Sequence, residues 1–169
     1  MASSKRPLFC LIDASSFIFR AFYAVRPLST KTGLPTNAVF GFANMILKVL
    51  EDLRPTHIAV VYDTKYPSFR KEMYEEYKAN RGAMPEDLVP QIPYIKKFIE
   101  CLGLPAFERP GFEADDVIAT LAERAAHLSE EQSEVCIVSS DKDLMQLVNQ
   151  NIYLYDTMKE QKFTPKEVK

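Results

Sequence analysis

Residues 8–13 read LFCLID: five apolar side chains in an unbroken run, closed by an aspartate. The run does not alternate, so it predicts a strand covered on both faces rather than one half-open to water. The same design returns twice. IAVVY at 58–62 runs into Asp63, and VCIVSS at 135–140 runs into Asp141 and Asp143. Between these strands the apolar spacing changes to three and four. Residues 37–53 carry Val39, Phe42, Ile46, Val49, Leu50 and Leu53 on one face, with Asn37 as the expected cap. Residues 94–102 and 114–128 read as further helices, 142–149 as a shorter one, and IYLYD at 152–156 as an additional strand. Strands alternating with helices imply an α/β fold, a mostly parallel sheet sandwiched by helices.

A length of 169 residues, 47% hydrophobic and 26% charged, suits one soluble domain with a sizeable core. The net charge of −2 neither demands nor forbids a polyanion partner, because a local basic stripe can coexist with an acidic site. Cys10, Cys101 and Cys136 are widely separated and each sits in an apolar run, which predicts three buried, reduced thiols rather than a disulfide framework or a zinc site. Asp13 interrupts the first apolar run, so it makes a poor signal peptide, and no run reaches membrane-span length. A cytoplasmic protein that does not engage membranes is expected.

In an open parallel sheet, ligands bind at the carboxyl ends of the strands, so Asp13, Asp63, Asp141 and Asp143 are expected at one edge. GFEADDVIATLAER at 111–124 adds Glu113, Asp115 and Asp116 where a helix begins. Acids in a first turn are favoured by the helix dipole, by about 0.3–1 kcal/mol each, which accounts for one or two of them. Three in four positions, plus an aspartate after each of three strands, exceed what capping explains. Positions 113 and 115 point about 200° apart on an ideal helix, so Glu113 must sit on the bend before it if both serve one site. Crowded carboxylates raise one another's pKa, and a hard divalent cation relieves them. With carboxylates and water as ligands, Mg²⁺ or Mn²⁺ fits, and a pair of ions would serve phosphodiester hydrolysis.

Two stretches break the α/β alternation. VRPLSTKTGLPT at 25–36 has loop composition. The segment 64–93 is too long for an ordinary surface loop and reads as functional. It interleaves Lys65, Arg70, Lys71, Lys78 and Arg81 with Tyr66, Phe69, Tyr74 and Tyr77, the makings of a surface that holds phosphates and stacks bases. Glu72, Glu75 and Glu76 leave open a plain solvated amphipathic helix.

LIDASSFIFRAFYA, NAVFGFANMI, VVYDTKYPSFRKEMYEEYKANR, GFEADDVIATLA and SSDKDLMQL together resemble, in order and spacing, the 5′ nuclease domain at the N-terminus of bacterial DNA polymerase I. That family belongs with the flap endonucleases and has a PIN-like, resolvase-like fold with a helical arch. The resemblance implies a metal-dependent 5′→3′ exonuclease and 5′-flap endonuclease that uses two Mg²⁺ or Mn²⁺ ions. Its DNA substrates would be 5′ flaps and nicked duplex, along with RNA primers, in replication and repair. It implies Asp13, Asp63, Glu113 and Asp115 as ligands of the first metal, with Asp13 and Asp63 catalytic. Asp141 and Asp143 belong to the second ion's shell, with Asp115 near both ions and Asp116 acting through water. Lys78 and Arg81 resemble the arch cations at the scissile phosphate, Tyr77 a stacking neighbour, and Arg70 a further DNA contact.

The family continues past TPKEV at 164–168 into a helix-hairpin-helix region and a linked polymerase domain. Residues 1–169 are therefore expected to form a single N-terminal nuclease domain, with the arch at about 64–93. As a piece without those regions it is expected to cleave poorly. A PIN-type ribonuclease shares the acidic α/β site but usually lacks the basic, aromatic insertion. A non-catalytic DNA-binding fragment would gain nothing from so many carboxylates near phosphate. An adhesion-type metal site is opposed by Phe17 and an aspartyl phosphatase by Ser15, each standing where the motif needs another residue.

Overall fold

The computed structural model describes residues 6–74, 76, 82–128 and 133–168. Its described strands form one sheet in the order β3-β2-β1-β4-β5-β6, built from β1 (Leu8–Asp13), β2 (His57–Val61), β3 (Ala106–Phe107), β4 (Glu134–Val138), β5 (Ile152–Asp156) and β6 (Gln161–Phe163). All neighbours are parallel except β5 and β6. The α/β expectation is met, with an antiparallel edge strand added.

Strand alternation sorts the core into two layers. Cys10, Ile12, Val60 and Val138 face α1 (Ala14–Ala24), α2 (Asn37–Leu53) and α4 (Ile92–Cys101). Leu11, Val61, Val135 and Ile137 face α5 (Ala114–Ala126) on the other side. Both faces of the central strands are thus covered, which is why those runs are apolar throughout. α1 and α2 approach closely at Gly41, where a Cβ would stand 2.9 Å from the Ala21 Cβ and 2.8 Å from Val25 Cγ2.

Several local expectations change. VCIVSS leaves the sheet at Val138, and Ser139 and Ser140 turn toward the strand-end edge. The 142–149 helix is a short 3₁₀ turn over Asp143–Leu147. α1 was not legible as a helix; it follows β1 without a linker because Asp13 both ends the strand and caps the helix, accepting from Ser16 N–H at 3.1 Å. Asn37 is not the cap of α2. Thr36 takes the cap position without a side-chain bond, while Gln91, fully buried, accepts from Ala38 N–H at 2.8 Å and Val39 N–H at 3.1 Å. The Asn37 amide instead donates to Phe22 C=O at 2.9 Å and accepts from Gln91. Cys10 and Cys136 are buried, but Cys101 is exposed at the end of α4.

The segment 64–93 opens with α3 (Phe69–Met73), and its last residues belong to the folded body, since Leu88 and Gln91 are fully buried. Tyr77, Lys78 and Arg81 lie outside the described residues.

Candidate metal and phosphate site

The parallel topology delivers the strand-end aspartates to one edge. Asp13, Asp63, Glu113, Asp115 and Asp141 line a single open cleft of about 570 Å³, together with Ser15, Ser16, Ser140, Arg20, Phe19 and Tyr23. That is room for a nucleotide-sized group. Glu113 and Asp115 also line an adjoining cleft, which holds Asp116, Asp143, Arg70 and Lys142. The two clefts therefore meet at the start of α5. Glu113 takes the extended cap position there, on the bend and not in the helix, as the 200° argument required.

Backbone amides and hydroxyls hold these carboxylates in place. Asp13 accepts from Ser16 N–H with one oxygen and from Ser139 Oγ at 2.7 Å with the other. Ser139 Oγ in turn accepts from Asp141 N–H at 3.0 Å, and Asp141 Oδ1 accepts from Asp143 N–H at 2.9 Å. Asp63 Oδ1 accepts from Ala114 N–H at 2.8 Å, fastening the end of β2 to the first turn of α5. Ser16 and Ser140 share a hydroxyl–hydroxyl bond of 2.8 Å across the cleft floor. Burial pushes the Asp13 carboxyl above the ordinary carboxylate range. The bonds from Ser139 and Ser16 oppose that shift, and the charges of Asp63 and Asp141 add to it.

Sequence reasoning missed the cation in the cleft. Arg20 leaves α1 toward the edge of β5, where Nη1 donates to Thr157 Oγ1 at 2.8 Å and Nη2 to Asp156 Oδ1 at 3.4 Å. Both partners of the ion pair are nearly buried, at 12% and 9% side-chain exposure, so the guanidinium has a fixed seat. A helical reading of ASSFIFRAFYA would have placed Arg20 two turns beyond Asp13 on the same face of the helix. Ser139 and Ser140 could have been found only by ending β4 two residues earlier.

Arg70, read from sequence as a DNA contact, lies on carboxylates. Its Nη1 donates to Asp116 Oδ2 at 2.7 Å and its Nη2 to Asp116 Oδ1 at 2.6 Å, with Glu113 Oε2 at 3.7 Å. Asp116 Oδ2 also accepts from Glu113 N–H at 3.0 Å.

The cleft linings contribute carboxylate and hydroxyl oxygen without histidine or cysteine, a set suited to a hard cation. Among the described residues no three His, Cys, Asp or Glu side chains are grouped closely enough to hold an ion between them. The arrangement fits a cation that keeps several of its waters and takes a few carboxylates from the rim, as Mg²⁺ does, and not a closed protein cage.

A parallel α/β domain that gathers acids at the carboxyl edge of its strands is the architecture of the resolvase-like class among others. The family model described as 5′-3′ exonuclease, N-terminal resolvase-like domain, matches residues 8–169, and the chain belongs to that family. The DNA polymerase I of Rhizobium leguminosarum is 51% identical over 158 residues, covering 89% of this chain and 15% of the polymerase. A 5′-3′ exonuclease of Aquifex aeolicus is 42% identical over 158 residues, covering 94% of this chain and 54% of the exonuclease. The chain thus spans about half or less of these relatives. A structure of the T5 D15 flap endonuclease in complex with DNA and metal ions superposes with a TM-score of 0.71 at 21% identity, over 93% of this chain and 57% of that one. The likeness is one of fold. Among the described residues no helix is long and apolar enough to cross a membrane.

Proposed function

We infer that the domain hydrolyses phosphodiester bonds at the 5′ ends of DNA, as a 5′→3′ exonuclease and 5′-flap endonuclease dependent on Mg²⁺ or Mn²⁺. The observation that carries this is the meeting of Asp13, Asp63, Glu113, Asp115 and Asp141 in one open cleft beside a fixed arginine. Asp13, Asp63, Glu113 and Asp115 would hold a first ion. Asp141 and Asp143, with Asp115, and with Asp116 through water, would hold a second. Bound there, the metal would supply charge to the attacking and leaving oxygens of the displacement.

The chain's own residues do the rest. Hydrogen bonds to Ser16, Ser139 and Ala114 aim the Asp13 and Asp63 oxygens before any ligand arrives, which lowers the reorganisation needed during reaction. Arg20 offers a seated cation to a phosphate in the cleft, and the exposed rings of Phe19 and Tyr23 offer faces on which a base can stack. Lys78 and Arg81 would meet the scissile phosphate, and Tyr77 would stack beside it.

In its setting we propose DNA with a 5′ flap or nick and RNA primers as substrates, a linked polymerase domain like that of the Rhizobium relative, and the cytoplasm as compartment. Full turnover is proposed to need chain beyond the matched stretch, as the partial span of the Aquifex exonuclease suggests. The 42% identity to that exonuclease favours this reading over a PIN-type ribonuclease.

The test pairs two readouts. Mn²⁺ binding to the purified chain is followed by electron paramagnetic resonance, and cleavage of a 5′-labelled flap DNA is compared with that by the whole Aquifex exonuclease. Asp13→Asn and Asp63→Asn are expected to weaken Mn²⁺ binding and remove any cleavage. Cleavage that survives EDTA, or single-stranded RNA cut in preference to the flap, would refute the reading.

A further inference from the structure

Residues 68–70, at the root of the 64–93 segment, are fastened to residues 111–116 at four successive points. Phe69 N–H donates to the carbonyl of Gly111 at 2.9 Å, and Gly111 takes φ of 85°, a turn open to glycine at little strain. The Phe69 and Phe112 rings touch with centroids 5.8 Å apart. The buried Ser68 hydroxyl donates to Glu113 Oε1 at 3.2 Å. Arg70 closes the series with its two-pronged bond to Asp116, its guanidinium resting 4.7 Å from the centre of the Phe69 ring.

Two features separate this arginine from a phosphate ligand. Both terminal nitrogens are already committed to one carboxylate in the planar fork that arginine matches best, so a phosphate would have to break the pair to be held the same way. The carboxylate is itself held, because Asp116 accepts from Glu113 N–H at the cap of α5. Arg20 is held more loosely, by one hydroxyl at 2.8 Å and one carboxylate oxygen at 3.4 Å and not by a two-pronged fork, and it lines the cleft of the strand-end aspartates.

We propose that Arg70 is a positioning residue: its fork on Asp116 fixes the root of the segment leading to Tyr77, Lys78 and Arg81 onto the helix that carries Asp115. Cations from the segment and carboxylates from the sheet edge then address one phosphate. The proposal rests on the nuclease reading for its purpose, but the tether itself is a statement about the metal-free, DNA-free chain.

Amide hydrogen exchange of the purified chain in EDTA tests that statement directly, with the core amides of β1 and β4 as an internal check on folding. Arg70→Ala and Asp116→Asn are each expected to speed exchange at Phe69, Lys71 and Tyr74 by about ten-fold or more, the scale of losing a charge-assisted bond partly open to water. The double variant should be no faster than the faster single one, because both remove one interaction. Arg70→Lys should fail to restore protection, since an ammonium cannot make the fork. Asp141→Asn, which alters the cleft away from the tether, should leave exchange at these amides unchanged.

DNA affinity is the second arm, measured by anisotropy with a 5′-flap substrate in EDTA. Arg70→Ala should shift it by less than about three-fold even at low salt, where a lost phosphate contact would be most visible. A larger loss that fades with added salt and is rescued by lysine would make Arg70 a DNA ligand and overturn the proposal. So would exchange at Phe69, Lys71 and Tyr74 that stays within two-fold of the wild type in both single variants, or that adds in the double. If the nuclease reading fails while the exchange results hold, the tether stands without its catalytic purpose.

Discussion

Replacing Asp13 by asparagine removes a negative charge from a side chain that is only 5% exposed. In the metal-free chain that charge is unfavourable: burial, with lesser repulsion from Asp63 and Asp141, outweighs the two hydrogen bonds and raises the carboxyl's pKa. A carboxyl whose folded pKa lies above its unfolded value contributes stability that is fully present below the unfolded pKa. That contribution is lost as the pH rises through the folded pKa, so at pH 7 the charged group is a net burden. Asparagine keeps an oxygen for the Ser16 N–H and presents an amide to Ser139, whose hydroxyl can rotate to accept.

Asp13→Asn is therefore expected to stabilise the metal-free chain at pH 7 by about 1–2 kcal/mol, within the range that single stabilising substitutions commonly yield. At about 2–4 °C per kcal/mol for a domain of this length, Tm should rise by about 2–8 °C. Thermal unfolding in EDTA measures it, and the advantage should close as the pH falls below about 4, near the ordinary pKa of Asp. Added Mn²⁺ should then stabilise the wild type, by about 2.7 kcal/mol at 100 times its Kd, and the variant far less. A variant less stable than the wild type in EDTA at pH 7, or an advantage undiminished in acid, would refute the reasoning.

Gln91→Leu, close to isosteric, strips hydrogen-bond partners from Ala38 N–H and Asn37 Oδ1 inside the core and should lower stability by about 2–4 kcal/mol in urea unfolding. Gly41→Ala should cost about 1–2 kcal/mol in the same assay, because the clash with Ala21 and Val25 exceeds the helix-propensity gain. A thiol reagent at pH 8 should modify Cys101 alone in the native chain. Cys10, whose thiol is pushed up by its hydrogen bond to Cys136 and by burial, should react only on unfolding, as should the buried Cys136. Lys78→Ala in a cleaving form of the enzyme should slow single-turnover cleavage far more than it weakens DNA binding, and equal losses in both would make Lys78 an ordinary phosphate contact.

The acidic cleft was legible because each aspartate is tied to a pattern the chain displays locally. An unbroken apolar run marks a buried parallel strand, parallel strands share an edge, and the residue closing each run must lie there. β5 and α2 were read with the bounds the structure gives. α1 was not, since Phe17, Phe19, Phe22 and Tyr23 crowd ASSFIFRAFYA with strand-favouring rings, and only packing of Phe17, Ile18 and Ala21 under α2 selects the helix. β3 is two residues long and β6 follows a turn with Glu160 at positive φ, a residue type that does not announce such a turn.

What stayed hidden is the long-range hydrogen bonding that holds the site and the core in place. Ser139 reaches Asp13 across 126 residues, Arg20 reaches Asp156 across 136, and Gln91 reaches the first amide it caps across 53. None of these partners stands at a position that spacing could mark, because a hydroxyl or an amide in a loop looks the same whether it meets water or a carboxylate. Arg70 shows what composition leaves out at this level. Counted among the cations of its segment it reads as one more phosphate contact, yet its charge is directed inward, onto Asp116. A cation in such a strip can therefore face the fold. Its direction is set by whichever carboxylate the topology brings within reach, and here that carboxylate sits in the first turn of α5, where the sheet edge and the root of the segment meet.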